Sequence, residues 1–207
     1  MESDYACEMC MRNRPIAGSA KKFTCKDCGR KWVLVLETGA YWEREGGEMQ
    51  YLLYDEINGD TVKELSAIFK KEKFVHIRVN SPGGNIRDAM QLYKMICDRV
   101  KEWGKTTFVT IDGIAAGAAS FFFLGVGDSF MDRDAHIILT EPWIIATFEG
   151  IDIEKGSIEV DEVKREMIDT YEKHTKLKKA EILELMKSQK PIGFSDALRY
   201  GFVRDES

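Results

Sequence analysis

From Tyr51 to the C-terminus, apolar residues recur with two alternating periods. Tyr51–Ile57 reads as a strand and Asn58-Gly59-Asp60 as the turn that ends it. A helix is predicted from Val62 to about Lys71, with Leu65, Ile68 and Phe69 on one face and Asp60 or Thr61 as its cap. Phe74–Val79 is strand-like, Ser81-Pro82-Gly83-Gly84 is a sharp turn, and Ile86–Trp103 is an amphipathic helix. Thr106–Ile111 is a strand. The Ala/Gly-rich run Gly113–Gly127 reads as a buried helix, and Phe121-Phe122-Phe123 within it as core. His136–Leu139 is a strand, Glu159–His174 and Ala180–Lys187 are helices, and Asp196–Tyr200 is a short helical turn. Strands alternating with helices predict parallel βαβ units in a layered α/β domain.

The first fifty residues follow another logic. Cys7-x2-Cys10 and Cys25-x2-Cys28 each bring two thiolates from one tight turn to a common point, and together they supply four sulfurs. That is the tetrahedral set of a structural zinc ribbon, and a rubredoxin-like iron would accept the same donors. Gly29 after the second pair relieves crowding where backbone N–H groups turn toward sulfur. Trp32–Glu37 closes the ribbon as a strand, and Gly39–Gln50, with three glycines and mixed charge, reads as a connector. The expected organisation is a zinc ribbon over 1–38, a connector over 39–50 and an α/β domain over 51–207.

Composition limits the function classes. The 207 residues carry 30 Lys and Arg against 35 Asp and Glu, a net charge of −5, so the chain as a whole does not attract nucleic acid or an anionic membrane. Residues 1–32 hold seven basic and four acidic residues, a local +3 that offers a basic face to nucleic acid or an acidic partner. No basic segment followed by an apolar one opens the chain, and the longest apolar run falls short of the ~18–20 residues that span a bilayer. A reducing, cytoplasmic setting is expected, in which four cysteines bind metal and Cys97 is a buried thiol.

Val79-Asn80-Ser81-Pro82-Gly83-Gly84, a strand running into a glycine turn and then a helix, resembles the proteolytic subunit of the Clp protease family, within the wider crotonase-like superfamily. Asp55–Gly59 is similar to that family's opening strand and turn. Asp112-Gly113-Ile114-Ala115-Ala116 is similar to the approach to its nucleophile, Ile137–Pro142 to the strand ending in its histidine, and Ser195–Asp205 to its C-terminal signature. The D-G-x-A-A lead-in is closest in flavour to the form encoded by prophages. The resemblance implies a layered α/β fold, a peptide and oxyanion groove at Gly83, Gly84 and Ala118, and homo-oligomeric rings, commonly stacked. It also places the ribbon at the axial entrance, where a protein partner such as an unfoldase would be met.

The same alignment puts unsuitable residues at all three catalytic positions. Gly117 stands where the serine is expected, Thr140 where the histidine is, and Gln189 where the acid is. A triad needs a nucleophile, a base near neutral pH and an orienting acid, and none of these three supplies its part. The expectation is a non-catalytic scaffold or regulatory subunit. Two alternatives remain open at this stage. One is an active, phage-type peptidase with a rearranged site in which Ser120 is the nucleophile and His136 the base. The other is a nucleic-acid-associated module acting through the ribbon.

Overall fold

The computed structural model describes residues 22–24, 31–34, 41–44, 48–104, 106–142 and 153–204, with side chains described from 50 onward except 105, 143–159 and 205–207. Strands β1 (Lys22–Thr24), β2 (Lys31–Leu34), β3 (Tyr41–Arg44) and β4 (Glu48–Leu53) pair antiparallel in succession. The segment expected as a connector therefore contributes β3 and the first residues of β4. Its apolar positions are too few to announce a strand, and pairing with neighbours supplies what the pattern lacks.

Beyond β4 the expected parallel architecture holds. Helix α1 (Gly59–Lys71) leads to β5 (Val75–Ser81), and helix α2 (Ile86–Trp103) leads to β6 (Thr107–Ala116). β4, β5 and β6 lie side by side in parallel, with Tyr51 opposite Ile77 and Ile77 opposite Val109. Ten-residue β6 is long enough to pair with two strands end to end: β7 (Ser129–Met131) along its first half and β8 (His136–Ile138) along its last three residues. Helices α3 (Ile153–His174) and α4 (Lys179–Ser188) then lead to β9 (Ile192–Gly193), which pairs antiparallel with β8, and to α5 (Phe194–Tyr200).

Side chains alternate across the strands. Leu53, Val75, Ile77, Val79, Val109 and Ile111 face the core with Leu65 and Ile68 of α1 and Leu92 and Ile96 of α2. The opposite parity carries polar groups that are nonetheless buried. Arg78 donates from Nε and Nη2 to the two carboxylate oxygens of Asp112 at 2.9 and 2.6 Å, and the Tyr54 hydroxyl donates to the same carboxylate. His76 Nε2 lies 2.8 Å from the Thr110 hydroxyl.

Two local expectations are corrected. The cap of α1 is Asn58 rather than Asp60 or Thr61: its Oδ1 accepts from the Asp60 and Thr61 N–H groups, while the Thr61 hydroxyl accepts from the Asn58 N–H. The Gly113–Gly127 run is not one helix. Its first four residues complete β6, and the rest forms two 3-10 helical turns, Gly117–Ser120 and Phe122–Gly125. Gly117 has φ +52°, which ends the strand and opens the first turn. Phe121, Phe122 and Phe123 are fully buried, as expected.

Candidate functional site

The site is assembled where β5 and β6 end. Ser81 donates to the Asp55 carbonyl at 2.6 Å and accepts from the Gly83 N–H at 3.2 Å, which folds the turn back on its own strand. Ile57 then bridges to Gly84: its N–H donates to the Gly83 carbonyl at 2.7 Å, and its carbonyl accepts from the Asn85 N–H at 2.8 Å. Gly83 and Gly84 have φ of +112° and +135°, and a Cβ at either would overlap backbone. Asn85 caps α2 by accepting from the Arg87 and Asp88 N–H groups.

Across from this turn, β6 delivers Gly117 and β8 delivers Thr140. Ala116 is paired with Ile138, so Thr140, two residues further on, runs alongside Gly117. A Cβ at position 117 would lie 3.1 Å from the Thr140 hydroxyl oxygen. Gln189, after α4, takes the left-handed conformation at φ +51°, alone among non-glycine residues described. Gly84, Gly117, Ala118, Thr140 and Gln189 all line one cleft of about 850 Å³. The three residues aligned with a nucleophile, a base and an acid are thus brought together although they are distant in sequence. A Cβ at Gly83 would lie 3.2 Å from the Ala118 nitrogen, so these two expected groove residues also meet. The Gly83 N–H is, however, already taken by Ser81.

The chemistry of the cleft follows from its lining. One wall carries Glu56, Asn58, Asn85 and Arg87, and the other carries Thr140, Glu141 and Gln189 over the apolar Val160, Val163 and Met167. Glu141 is paired with Lys164 at 2.6 Å. Among the described residues lining the cleft there is no Ser, Cys or His. Thr140 brings a hydroxyl without an adjacent imidazole. The arrangement can hold an extended chain by hydrogen bonds and apolar contact, with Glu56 and Glu141 as the carboxylates among its described lining residues.

Ser120 and His136 are placed differently. Ser120 is fully buried; its hydroxyl lies 2.7 Å from both the Gly117 carbonyl, to which it donates, and the Tyr171 hydroxyl. Burial pushes the Tyr171 phenol up, with the Ser120 hydrogen bond opposing, so Tyr171 stays protonated. His136 is exposed at the start of β8. His76 lies on the far face of the sheet, and His174 bonds Tyr93 at 2.8 Å at the end of α3. Cys97 is a free, half-buried thiol on α2, and the Cys7, Cys10, Cys25 and Cys28 set lies outside the described residues. Sequence reasoning missed the Glu141–Lys164 pair, Arg87 in the cleft wall and the Ser120–Tyr171 bond. The Glu141–Lys164 and Ser120–Tyr171 pairs join elements distant in sequence, and no local signal announces them.

No helix among the described residues is long and apolar enough to cross a membrane. A search of curated proteins finds no match. Among solved structures, the chain is similar to a point mutant of ClpP1 from Listeria monocytogenes, at 18% identity and a TM-score of 0.59, over 74% of this chain and 88% of that one. This likeness concerns the fold. The sequence profile described as Clp protease matches residues 49–205, well over half of the chain and the whole of the cleft, so the chain belongs to the Clp protease family.

Proposed function

We propose that the chain is a non-catalytic Clp-like protein, a scaffold or regulatory subunit in which the Ser-His-Asp positions are occupied by Gly117, Thr140 and Gln189. One observation carries the reading: these residues converge on a single cleft, with position 117 aimed at the Thr140 hydroxyl. The approach of position 117 to the Thr140 hydroxyl supports a nucleophile–base correspondence, Gln189 shares their cleft, and the residue types remove the triad's chemistry. A fluorophosphonate probe and a fluorogenic peptide test this directly. The expected outcome is no labelling and no hydrolysis above the buffer rate. Stoichiometric labelling at Ser120 would overturn the reading and establish the rearranged site. The hydrogen bonds that already hold the Ser120 hydroxyl favour the first outcome.

The reading extends to assembly and metal. The chain forms a homo-oligomer, as a ring or stacked rings, or joins active subunits, and its N-terminal segment recruits a protein partner, such as an unfoldase. Family membership supports the first part. Cys7, Cys10, Cys25 and Cys28 hold a structural Zn²⁺. The spacing of the two C-x2-C pairs supports this, because each brings two thiolates from one short stretch of chain to a common ion. Zinc with four thiolates is closed to substrate, so its role is to hold the ribbon.

A further inference from the structure

Asn58-Gly59 stands at the rim of the cleft, directly after the Ile57 bridge to the glycine turn and at the start of α1. Both residues are exposed. Asn58 is extended, at φ −147° and ψ −177°. Its Oδ1 accepts from the Asp60 N–H at 2.9 Å and the Thr61 N–H at 3.2 Å, with the Thr61 hydroxyl at 3.4 Å. These donors polarise the side-chain carbonyl and are placed to hold negative charge that develops on Oδ1. The bonds of the side chain all run to Oδ1, so Nδ2 is left to solvent.

Gly59 supplies the other half of the chemistry. As the first residue of α1 its N–H has no acceptor within the helix, and no carbonyl among the described residues takes it. Nothing lies within 4 Å of the place a Cβ would occupy. The nitrogen beside the polarised carbonyl is therefore unbonded and unshielded. Asn85 provides the comparison within the same molecule. It caps α2 in the same manner, with Oδ1 accepting from the Arg87 and Asp88 N–H groups at 2.9 and 3.3 Å, but Ile86, branched at Cβ, follows it.

We propose that Asn58 is a self-modification site, at which loss of ammonia converts the cap of α1 from an amide to a carboxylate. The Gly59 nitrogen gives its proton to hydroxide and bonds to the Asn58 Cγ, and the charge passes to Oδ1 under the Asp60 and Thr61 N–H groups. The Cγ–Nδ2 bond then breaks, and Nδ2 takes a proton from water and leaves as ammonia. A five-membered imide remains. Water opens it at the Cγ–N bond to give aspartate, or at the main-chain carbonyl to give isoaspartate. One water is consumed, one ammonia is released, and nothing is oxidised or reduced. Aspartate keeps the cap, because a carboxylate accepts from the same N–H groups and suits a helix N-terminus. It adds a negative charge to a cleft wall that already carries Glu56. Isoaspartate adds a backbone atom between the Ile57 bridge and α1, so it shifts the wall itself.

The test ages the folded full chain in mildly alkaline buffer and maps its tryptic peptides by mass spectrometry. Glu45–Lys63 holds no asparagine other than Asn58. That peptide is expected to gain the mass of amide-to-acid conversion, while Asn80 and Asn85 keep their amides. Gly59→Ala should slow the conversion by about tenfold, equivalent to ~1.4 kcal/mol in the barrier. Asn58→Asp should melt at or above the midpoint of the fresh protein. An intact Asn58 amide over a period in which the urea-unfolded chain loses it overturns the proposal. So do equal loss at Asn85, indifference to Gly59→Ala, and a lowered midpoint in Asn58→Asp.

Discussion

At Gly84 an added methyl group would overlap the Ile57 carbonyl oxygen and lie 2.6 Å from the Ile57 nitrogen, at a φ of +135°. Only glycine admits both the approach and the angle. Gly84→Ala is expected to cost about 3 kcal/mol by urea unfolding, as strain and overpacking add. Gly59→Ala, with nothing within 4 Å of the new methyl, should change stability little, and equal losses in the two variants would refute the account. Gly117 differs from both. Its φ of +52° favours glycine, yet the one close neighbour of an added Cβ is the Thr140 side chain, not backbone. Position 117 is thus an open place beside Thr140, and Gly84 is a closed one.

At the scale of elements, β5 and β6 are joined by a buried polar ladder. His76 illustrates its consequence. Desolvation first, and the nearby Arg78 charge second, lower its pKa from 6.5 to about 4. The folded chain then keeps His76 neutral while the unfolded chain takes up a proton, so stability falls as pH drops from 6.5 toward 4 and levels below that window. The loss reaches about 3 kcal/mol at most. His174 is lowered in the same direction by burial and Lys173, so the measurement is a difference. Denaturation of wild type and His76→Gln at pH 7 and pH 4.5 should show a smaller pH dependence in the variant. Identical dependence would show that His76 titrates normally in the fold.

The whole molecule joins an acidic α/β body to a basic, cysteine-bearing N-terminal segment. If the segment is metal-held, mass spectrometry should find about one zinc per chain, lost in Cys25→Ser with Cys28→Ser. Far-UV melting of the α/β body should be retained in that variant, because its core, from Tyr51 to Val203, is built without the cysteine set. Iron in place of zinc, or full metal content in the double variant, would redirect the assignment.

Much of this was legible before any coordinates. The helical spacing of Ile86, Met90, Tyr93 and Cys97 marked α2 at both ends, although the face it buries is centred on Ala89, Leu92 and Ile96, with only Met90 of the four buried. The order of strands and helices predicted the parallel pairing of β4, β5 and β6. The motifs singled out Gly117, Thr140 and Gln189, and all three line one cleft. Other features were decided only in three dimensions. Gly113–Gly127 is apolar throughout, and such a run has the same composition in a buried strand or a buried helix. What made its first part strand was pairing with β5 and β8, with Asn80 Oδ1 accepting from the Ile114 N–H where a side chain at Gly113 would intrude. Arg78 and Asp112 look like a solvent-facing alternation, and are buried because each satisfies the other. Sequence fixes which groups a chain carries and at what period they recur. Whether Ser120 faces a cleft or Tyr171, and whether Trp103 is covered or exposed, depends on which distant elements pack together, because burial is a property of the assembled surface and not of the residue.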